Sequence, residues 1–529
     1  MANENDLIAA HYDDAPYLSC AFDASAPEHL RSVAWLFGLD APDPATARVL
    51  ELGCAAGGNI IPFAQRHPQA QVLGVDLSAQ QVEEGSALIA RMGLDNVRLA
   101  QRDLTSIDAS LGQFDYILCH GVYSWVPAQV QAAILRVCRE NLSPQGVAFV
   151  SYNTYPGWKT REVVRDAMRL HGARSDNPVE QLAHARNMIQ FLRERVAPEA
   201  MLGRILAEHA DIVQKGDDYY LMHEYLERHN QPCYFREFAD AAQAHGLAYL
   251  AETPVASMFA SNLGDEIAQA LQGVGDQLEL EQYLDFLRNR QFRQTLLVHG
   301  QRAAQMQRTL DPGRLRELHY SGHFSQPRPV AGATHKATLR TSRGADIDLA
   351  GEMALALAEI LSAAYPNALH GSELLAQLQR RGFAPNAETA AEMAGLLGQL
   401  IAFNAVEFER DRGVQGVTSA GDFPIVWAPA RHWYSHRFDG PQRTHKRWVV
   451  SPLHRTVMLD VARQSLLPLL DGTRSQAQLA EALVGLHGQG EITLRCGSEL
   501  PEGAELAACA RDVVSDVLAA LVRERLLVG

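Results

Sequence analysis

The sequence lacks several features that would point to familiar chemistries. It contains no H-E-x-x-H and no other metal-ligand spacing, so no metal centre is expected. Its seven cysteines (20, 54, 119, 138, 233, 496 and 509) include no C-x-x-C pair. That excludes a zinc ribbon, argues against a disulfide framework and suits a reducing, cytoplasmic setting. The three-glycine fingerprint G-x-G-x-x-G is missing, which weakens a dinucleotide reading. No apolar run approaches 18 residues, so no membrane span is expected. The first residues, Met1 to Asp6, are polar and acidic and lack the basic and apolar regions of a secretory signal. Positive charge is scarce: 47 Lys+Arg against 62 Asp+Glu give a formal charge of −15. A general nucleic-acid binder needs a basic surface, and this balance argues against one. The deficit lies mainly before residue 331, since Ala331 onward holds 19 Lys+Arg and 22 Asp+Glu.

What is present is organised around Val49-Leu50-Glu51-Leu52-Gly53-Cys54-Ala55-Ala56-Gly57-Gly58-Asn59. An apolar strand runs into a glycine turn, and helical patterning resumes over Ile60 to Gln65. Gly53 and Gly57 permit backbone shapes that a side chain would forbid. A strand, a tight turn and a helix N-terminus make a seat for a nucleotide-like ligand, although an ordinary βα turn is the alternative from this stretch alone. Glu51, Gly53, Ala55 and Gly57 at alternate positions resemble motif I, E-x-G-x-G-x-G, of the class I S-adenosylmethionine (SAM) methyltransferases. Ala55 replaces the middle glycine, which is tolerable if its φ is negative.

Strand and helix patterns then alternate. Gln71–Asp76, Asn96–Leu99, Phe114–Cys119 and Gly146–Tyr152 read as four further strands, which predicts a parallel sheet with helices on both faces. Asp76 ends the second strand, 23 residues after Gly53, where an acid can accept from both ribose hydroxyls. Ser78 reads as the N-cap of the next helix. Asp103 follows the third strand and can accept from an adenine amino group, with Leu104 offering its backbone N–H. A second acid at that place favours SAM over NAD. The loops His120-Gly121-Val122-Tyr123-Ser124-Trp125-Val126-Pro127 and Tyr152-Asn153-Thr154-Tyr155-Pro156-Gly157-Trp158 follow the fourth and fifth strands, and ligands of open α/β sheets lie at such carboxyl ends. Packing at the sheet edge is the alternative for any one of these aromatics.

Together with Tyr12-Asp13, Pro16-Tyr17 and Ser19, these stretches resemble the bacterial methyltransferases that carry a methyltransferase regulatory domain, among them the rickettsial outer-membrane-protein lysine methyltransferases. His223-Glu224-Tyr225-Leu226-Glu227, Tyr234-Phe235, Glu237-Phe238 and His245-Gly246-Leu247 match the regulatory segment. The resemblance covers roughly residues 10 to 300 and continues more loosely beyond. It implies SAM as methyl donor and a protein substrate, of the cell surface or outer membrane in the rickettsial case. Carried over, the cofactor residues are Tyr12, Tyr17, Ser19, Glu51, Gly53, Cys54, Gly57, Asn59, Asp76, Leu77, Asp103, Leu104 and His120. A lysine acceptor, whose pKa is ordinarily ~10.4, must lose a proton before attack. Aromatic walls favour the neutral amine, so Tyr123, Trp125, Tyr155 and Trp158 are the candidates for an acceptor channel. His120 can serve the cofactor or accept a proton. No Pro-Pro-Tyr motif of the enzymes that methylate DNA-base or glutamine nitrogens follows the fourth strand. A small-molecule methyltransferase and a non-catalytic SAM-binding regulator remain alternatives.

The expected architecture is a class I, Rossmann-like α/β fold with a seven-stranded sheet. Residues 1–160 form the SAM-binding core. Residues 161–229 form a helical insertion that can cover the site or support a homodimer. Residues 230–300 complete the sheet through Gly246–Ala251 and an antiparallel Phe292–His299. Residues 301–332, with Pro312-Gly313, Pro327 and Pro329, read as a linker. Two winged-helix-like units, 333–420 and 421–529, follow. The second opens on Trp448–Val450 and a helix over Arg455–Leu470. DNA binding is the sharper reading of these units, and their balanced charge favours protein contact. The basic, aromatic stretch Arg431–Trp448 between them reads as a solvated loop or a contact for an acidic partner.

Overall fold

The computed structural model describes residues 19–175, 177–329, 335–438, 447–495 and 501–529. Its centre is a seven-stranded sheet in the order β3-β2-β1-β4-β5-β7-β6. The strands are β1 (Arg48–Leu52), β2 (Gln71–Asp76), β3 (Val97–Gln101), β4 (Phe114–Cys119), β5 (Leu142–Asn153), β6 (Leu247–Glu252) and β7 (Phe292–His299). The first five pair in parallel, and β7 runs antiparallel between β5 and β6. The stretches after the fifth strand therefore complete the central sheet, with the antiparallel strand at Phe292–His299 as expected. Apolar runs such as Val49-Leu50 and Ile117-Leu118 are buried because helices cover both faces. These are α1 (Pro27–Leu36), α2 (Ile60–Arg66), α3 (Ala79–Met92) and α4 (Ala128–Asn141). Ser78 caps α3 by accepting from the Gln81 N–H at 3.2 Å. The strand order reverses between β1 and β4, and the carboxyl ends there open a crevice.

The insertion consists of α5 (Trp158–Gly172), α6 (Pro178–Arg195) and α7 (Met201–Lys215), with a core of its own around Val164, Met168, Ile189, Leu206 and Tyr225. Leu170, Val179 and Met201 stay exposed on it. After α8 (Phe235–Ala244) and β6 comes α9 (Gln277–Arg288), which the sequence reading did not include.

The expected linker is built into the next unit. Strand β8 (His319–Ser321) pairs with β12 (Leu369–His370) and β13 (Glu407–Glu409), and β9 (Phe324–Pro329) pairs with β10 (Lys336–Thr341), itself paired with β11 (Asp346–Ala350). Pro327 and Pro329 lie on an edge strand, where a missing N–H costs nothing. Helices α10 (Glu352–Ala364), α11 (Gly371–Arg380) and α12 (Ala387–Ala402) give the three-helix plan expected of this unit.

In the last unit two expectations fail. The stretch at Arg431 is not a solvated loop: residues Ala428–Arg437 form α13, with Trp433 and Tyr434 buried. Gln65 Nε2 donates to the Pro429 carbonyl at 3.2 Å and Arg437 pairs with Glu84, so this helix docks on α2 and α3. Residues 439–446 of the stretch lie outside the described residues. The helix expected over Arg455–Leu470 begins as a strand. β14 (Arg447–Val450) and β15 (Thr456–Leu459) form a hairpin, and only Val461–Leu466 is α-helical (α14), ahead of α15 (Gln476–Gly488) and α16 (Gly503–Arg523). The hairpin wins because Trp448, Val450 and Ala21 bury one another.

Among the described residues Cys20, Cys54, Cys119, Cys138 and Cys233 are free thiols, and Cys509 is disulfide-bonded. Among the described residues no helix is long and apolar enough to cross a membrane.

Candidate functional site

The turn after β1 carries three left-handed residues: Gly53 (φ 72°), Ala55 (φ 49°) and Gly57 (φ 74°). A Cβ on Gly53 would come within 2.4 Å of Val122, so glycine is required there for space as well as shape. Ala55 adopts the same region in spite of its methyl group, against the expectation of negative φ. The conformation points its N–H at Asp76 Oδ2, 2.8 Å away, while the Ser78 N–H donates to Asp76 Oδ1 at 2.9 Å. Asp76 is thereby fixed at the carboxyl end of β2. Asp103 is fixed in the same manner, its Oδ1 accepting from the Thr105 N–H and hydroxyl, both at 2.8 Å.

Glu51 is buried at the end of β1 and shares its Oε1 with Asn59 Nδ2 at 2.7 Å. Its Oε2 is buried and has no hydrogen-bond partner. Burial pushes the carboxyl up to about 8, the neighbouring Asp76 adds to the rise, and the Asn59 hydrogen bond opposes it. His120 closes the other side. Its ring lies 3.9 Å from that of Phe22 and 5.9 Å from that of Phe149. Desolvation pushes the imidazole down to about 4, so it is neutral at physiological pH.

These groups line one cavity of about 430 Å³. Its donor end holds Ser19, Glu51, Gly53, Cys54, Asn59, Asp76, Leu77, Asp103 and Leu104. Its other end holds His120, Trp125 and Trp158 together with residues of the insertion and its flank: Arg161, His223, Glu224 and Glu227. Trp125 and Trp158 meet edge to face with centroids 6.2 Å apart. Arg161 lies over the Trp158 ring, its guanidinium 4.7 Å from the centroid, and pairs with Glu224 at 3.1 Å. Burial pushes Glu224 upward, although Arg161 draws it back.

Three expected residues are not brought to the cavity. Tyr123 is core, packed edge-on against Phe238 and Tyr152 at 5.2 and 6.0 Å. It opens a 3₁₀ turn spanning Tyr123–Trp125, which buries its first side chain under the sheet and turns Trp125 toward the cavity. Tyr155 lies outside the lining, donating to Glu162 at 2.6 Å beneath the Lys159 ammonium. Gly57 faces Ile61 and Leu99. Tyr12 and Tyr17 lie outside the described residues. Conversely, sequence reasoning missed Phe22, Arg161, Gln291 and Phe292 as lining residues. Glu224 and Glu227 had a signal, two acids three apart in a stretch already singled out, whereas Phe22 and Phe292 had none beyond being aromatic.

The cavity suits an extended ligand with a polar, hydroxyl-bearing end and a cationic end. Its volume lies within the roughly 300–1,000 Å³ of small-molecule sites. The unpartnered Glu51 Oε2 asks for a donor, and the carboxylates of Asp76 and Asp103 line the same cavity. SAM meets those requirements.

Comparison with known proteins agrees. Residues 49–146 match a methyltransferase domain family, residues 217–299 the predicted methyltransferase regulatory domain, and residues 424–526 the PKMT C-terminal winged helix domain. The uncharacterised protein RP789 of Rickettsia prowazekii is 40% identical over 303 residues, 57% of this chain and 55% of that protein, so the chain spans about half of that relative's length. The uncharacterised protein RP028 of the same organism is 39% identical over 233 residues, 44% of this chain and 93% of that protein. The structure of PKMT2 from Rickettsia typhi in complex with AdoHcy superposes with a TM-score of 0.86 at 28% identity, covering 97% of this chain and 100% of that one.

Proposed function

This chain belongs to the class I SAM-dependent methyltransferases that carry a methyltransferase regulatory domain, and on that premise we propose that it methylates lysine side chains of a protein. The observation that carries the proposal is the single cavity whose donor end, built by Glu51, Asp76 and Asp103, runs into an acceptor end built by Trp125, Trp158 and the acids of the insertion. The likeness to PKMT2, a protein-lysine methyltransferase, along its whole length supports the same acceptor.

SAM supplies an already activated methyl group, so the protein's work is alignment and exclusion of water. Asp76 and Asp103 hold the nucleoside end, and Glu51 meets the amino-acid end, whose ammonium draws off the proton that the buried carboxyl otherwise keeps to about pH 8 and lets Oε2 accept. Glu224 and Glu227 attract an incoming ammonium, and the Trp125 and Trp158 faces then strip its water. Desolvation lowers the lysine pKa and frees the amine lone pair. A neutral His120 adds no charge to repel a sulfonium, and so low a pKa makes it a poor proton acceptor. We therefore assign it to hydrogen bonding and packing rather than to general-base catalysis. The kinship with rickettsial enzymes extends the reading to a cell-surface protein acceptor met in the cytoplasm.

The test is incubation with methyl-labelled SAM and cell-envelope protein, followed by mass spectrometry of the products. Methyl groups on lysine Nζ are expected. Label confined to small molecules would remove the protein acceptor from the proposal. Asp76→Ala should lower SAM affinity at least about tenfold, since it removes acceptors from two hydroxyls.

A further inference from the structure

Asn59 occupies the floor of the donor end, and its carboxamide is held by a residue from the far end of the chain. The β14–β15 hairpin turns at Ser451–Arg455, where the Arg455 carbonyl accepts from the Ser451 N–H at 2.9 Å. At its tip His454 is buried, with φ 58°. Arg66 Nη1 lies 2.8 Å from His454 Nδ1, and a guanidinium can only donate, so Nδ1 is the acceptor and Nε2 carries the hydrogen. Nε2 lies 2.9 Å from Asn59 Oδ1. Arg66 is itself anchored by Glu28 of α1 at 2.8 Å.

Those contacts fix which way the Asn59 amide faces. Oδ1 receives the His454 Nε2–H and the Phe22 N–H, the latter at 3.1 Å. Nδ2 then donates to Ser25 Oγ at 3.2 Å and to Glu51 Oε1 at 2.7 Å. A flipped amide would set an N–H₂ against two N–H donors, which is costly in a buried site. With Oε1 engaged, Oε2 is the oxygen of Glu51 left without a partner, and both Glu51 and Asn59 line the cavity.

We propose that His454 is a positioning residue of the donor site: its Nε2–H orients the Asn59 carboxamide, and through it Glu51, so that Oε2 meets the amino-acid end of the methyl donor. The proposal rests on the reading of this cavity as the SAM site. It gives the C-terminal hairpin a part in donor binding, although no residue of the hairpin lines the cavity. Burial and the adjoining Arg66 guanidinium push His454 down to about 3, which keeps the single tautomer the relay needs across the working pH range.

The experiment is calorimetric titration of the full-length protein with S-adenosylhomocysteine, with thermal unfolding of the unliganded protein alongside. His454→Ala should weaken binding about three- to tenfold, the worth of one neutral hydrogen bond. His454→Gln, whose amide can donate to Asn59 Oδ1, should return affinity to within about twofold of the native protein. Arg455→Met removes bonds from the same hairpin to Asp23 and Glu407, at 3.0 and 2.6 Å, without touching the relay, and should leave affinity unchanged. In turnover assays the KM for SAM should rise with kcat held. If His454→Ala does not fold, His454→Phe, bulky but without an N–H, is compared with Gln instead. Unchanged affinity in the variant lacking the donor, an equal loss in Arg455→Met, or no recovery in Gln overturns the proposal. A native protein that fails to bind S-adenosylhomocysteine removes the donor-site reading itself, a separate outcome.

Discussion

Glu51 is the residue on which pH should act. Its carboxyl rises to about 8 in the fold, against an unfolded value near ~4.3. Between those values the folded state holds a proton that the unfolded chain has released, so stability falls as pH rises toward 8. Glu51→Gln cannot ionise and should lose that dependence. Urea denaturation at pH 6 and pH 8.5 is expected to show the variant gaining on the native protein by on the order of 2 kcal/mol at the higher pH. An equal pH response of the two proteins would place the buried proton elsewhere. At the same scale, Ala55 shows what a motif cannot tell. The spacing of glycines was readable in the sequence, but the sign of φ at Ala55 follows from the need to aim its N–H at Asp76, 21 residues away. A left-handed alanine costs roughly 1–2 kcal/mol, which the loop sustains through that bond and its neighbours.

At the scale of elements, β7 is held by Arg293, which is buried among Glu252, Glu281 and Asp285 at 2.7, 3.1 and 2.8 Å and lies 3.8 Å from the Phe235 ring centroid. Burial pushes Glu281 and Asp285 upward; the Arg293 guanidinium draws both back, and Arg290, 3.0 Å from Asp285, does so to a lesser degree. Arg293→Met should therefore cost about 3–5 kcal/mol, read as a lower urea midpoint, because it leaves the buried Glu252 and Glu281 without their ion-pair partner and Asp285 with Arg290 alone. The loss should be smaller at pH 5 than at pH 8, where the acids must stay ionised; a pH-independent loss would mean that packing on Phe235 is the larger part. The strand itself was legible from its apolar alternation, whereas its buried arginine was not. Partners at 252, 281 and 285 lie on other elements, and no local pattern announces them. The same cause explains the errors in the C-terminal unit. Val457, Leu459 and Leu466 keep an apolar rhythm compatible with a helix, and only burial of Trp448 and Val450 against Ala21 selects a hairpin. His432 and Arg437 gave α13 the composition of a solvated loop, and the Glu84 carboxylate that receives Arg437 is more than 350 positions earlier. Tyr123 and Trp125 were equal candidates by sequence and were separated by one short turn.

At the scale of the molecule, the winged-helix-like units turn their contacts inward. The second docks α13 on α2 and α3 and joins its core to that of the sheet through residues such as Val449 and Leu521. With an overall charge of −15 and no basic excess after residue 331, the protein should give no shift of duplex DNA below about 10 µM at physiological salt. A salt-sensitive complex at submicromolar concentration would return DNA binding to these units. The strands and helices of the sheet follow from patterns a few residues long; the joins between units rest on single side chains and were invisible until the chain was folded.

The span from Asn59 to His454 is 395 residues. A ribosome adding roughly 5–20 residues per second needs about 20–80 s to cover that interval. All seven strands of the sheet have been made well before His454 is added. A nascent chain at that stage lacks the residue that sets the Asn59 amide. On that proposal full affinity for the donor arrives only once the hairpin has been made, and donor binding distinguishes a chain that has reached the hairpin from one that has not.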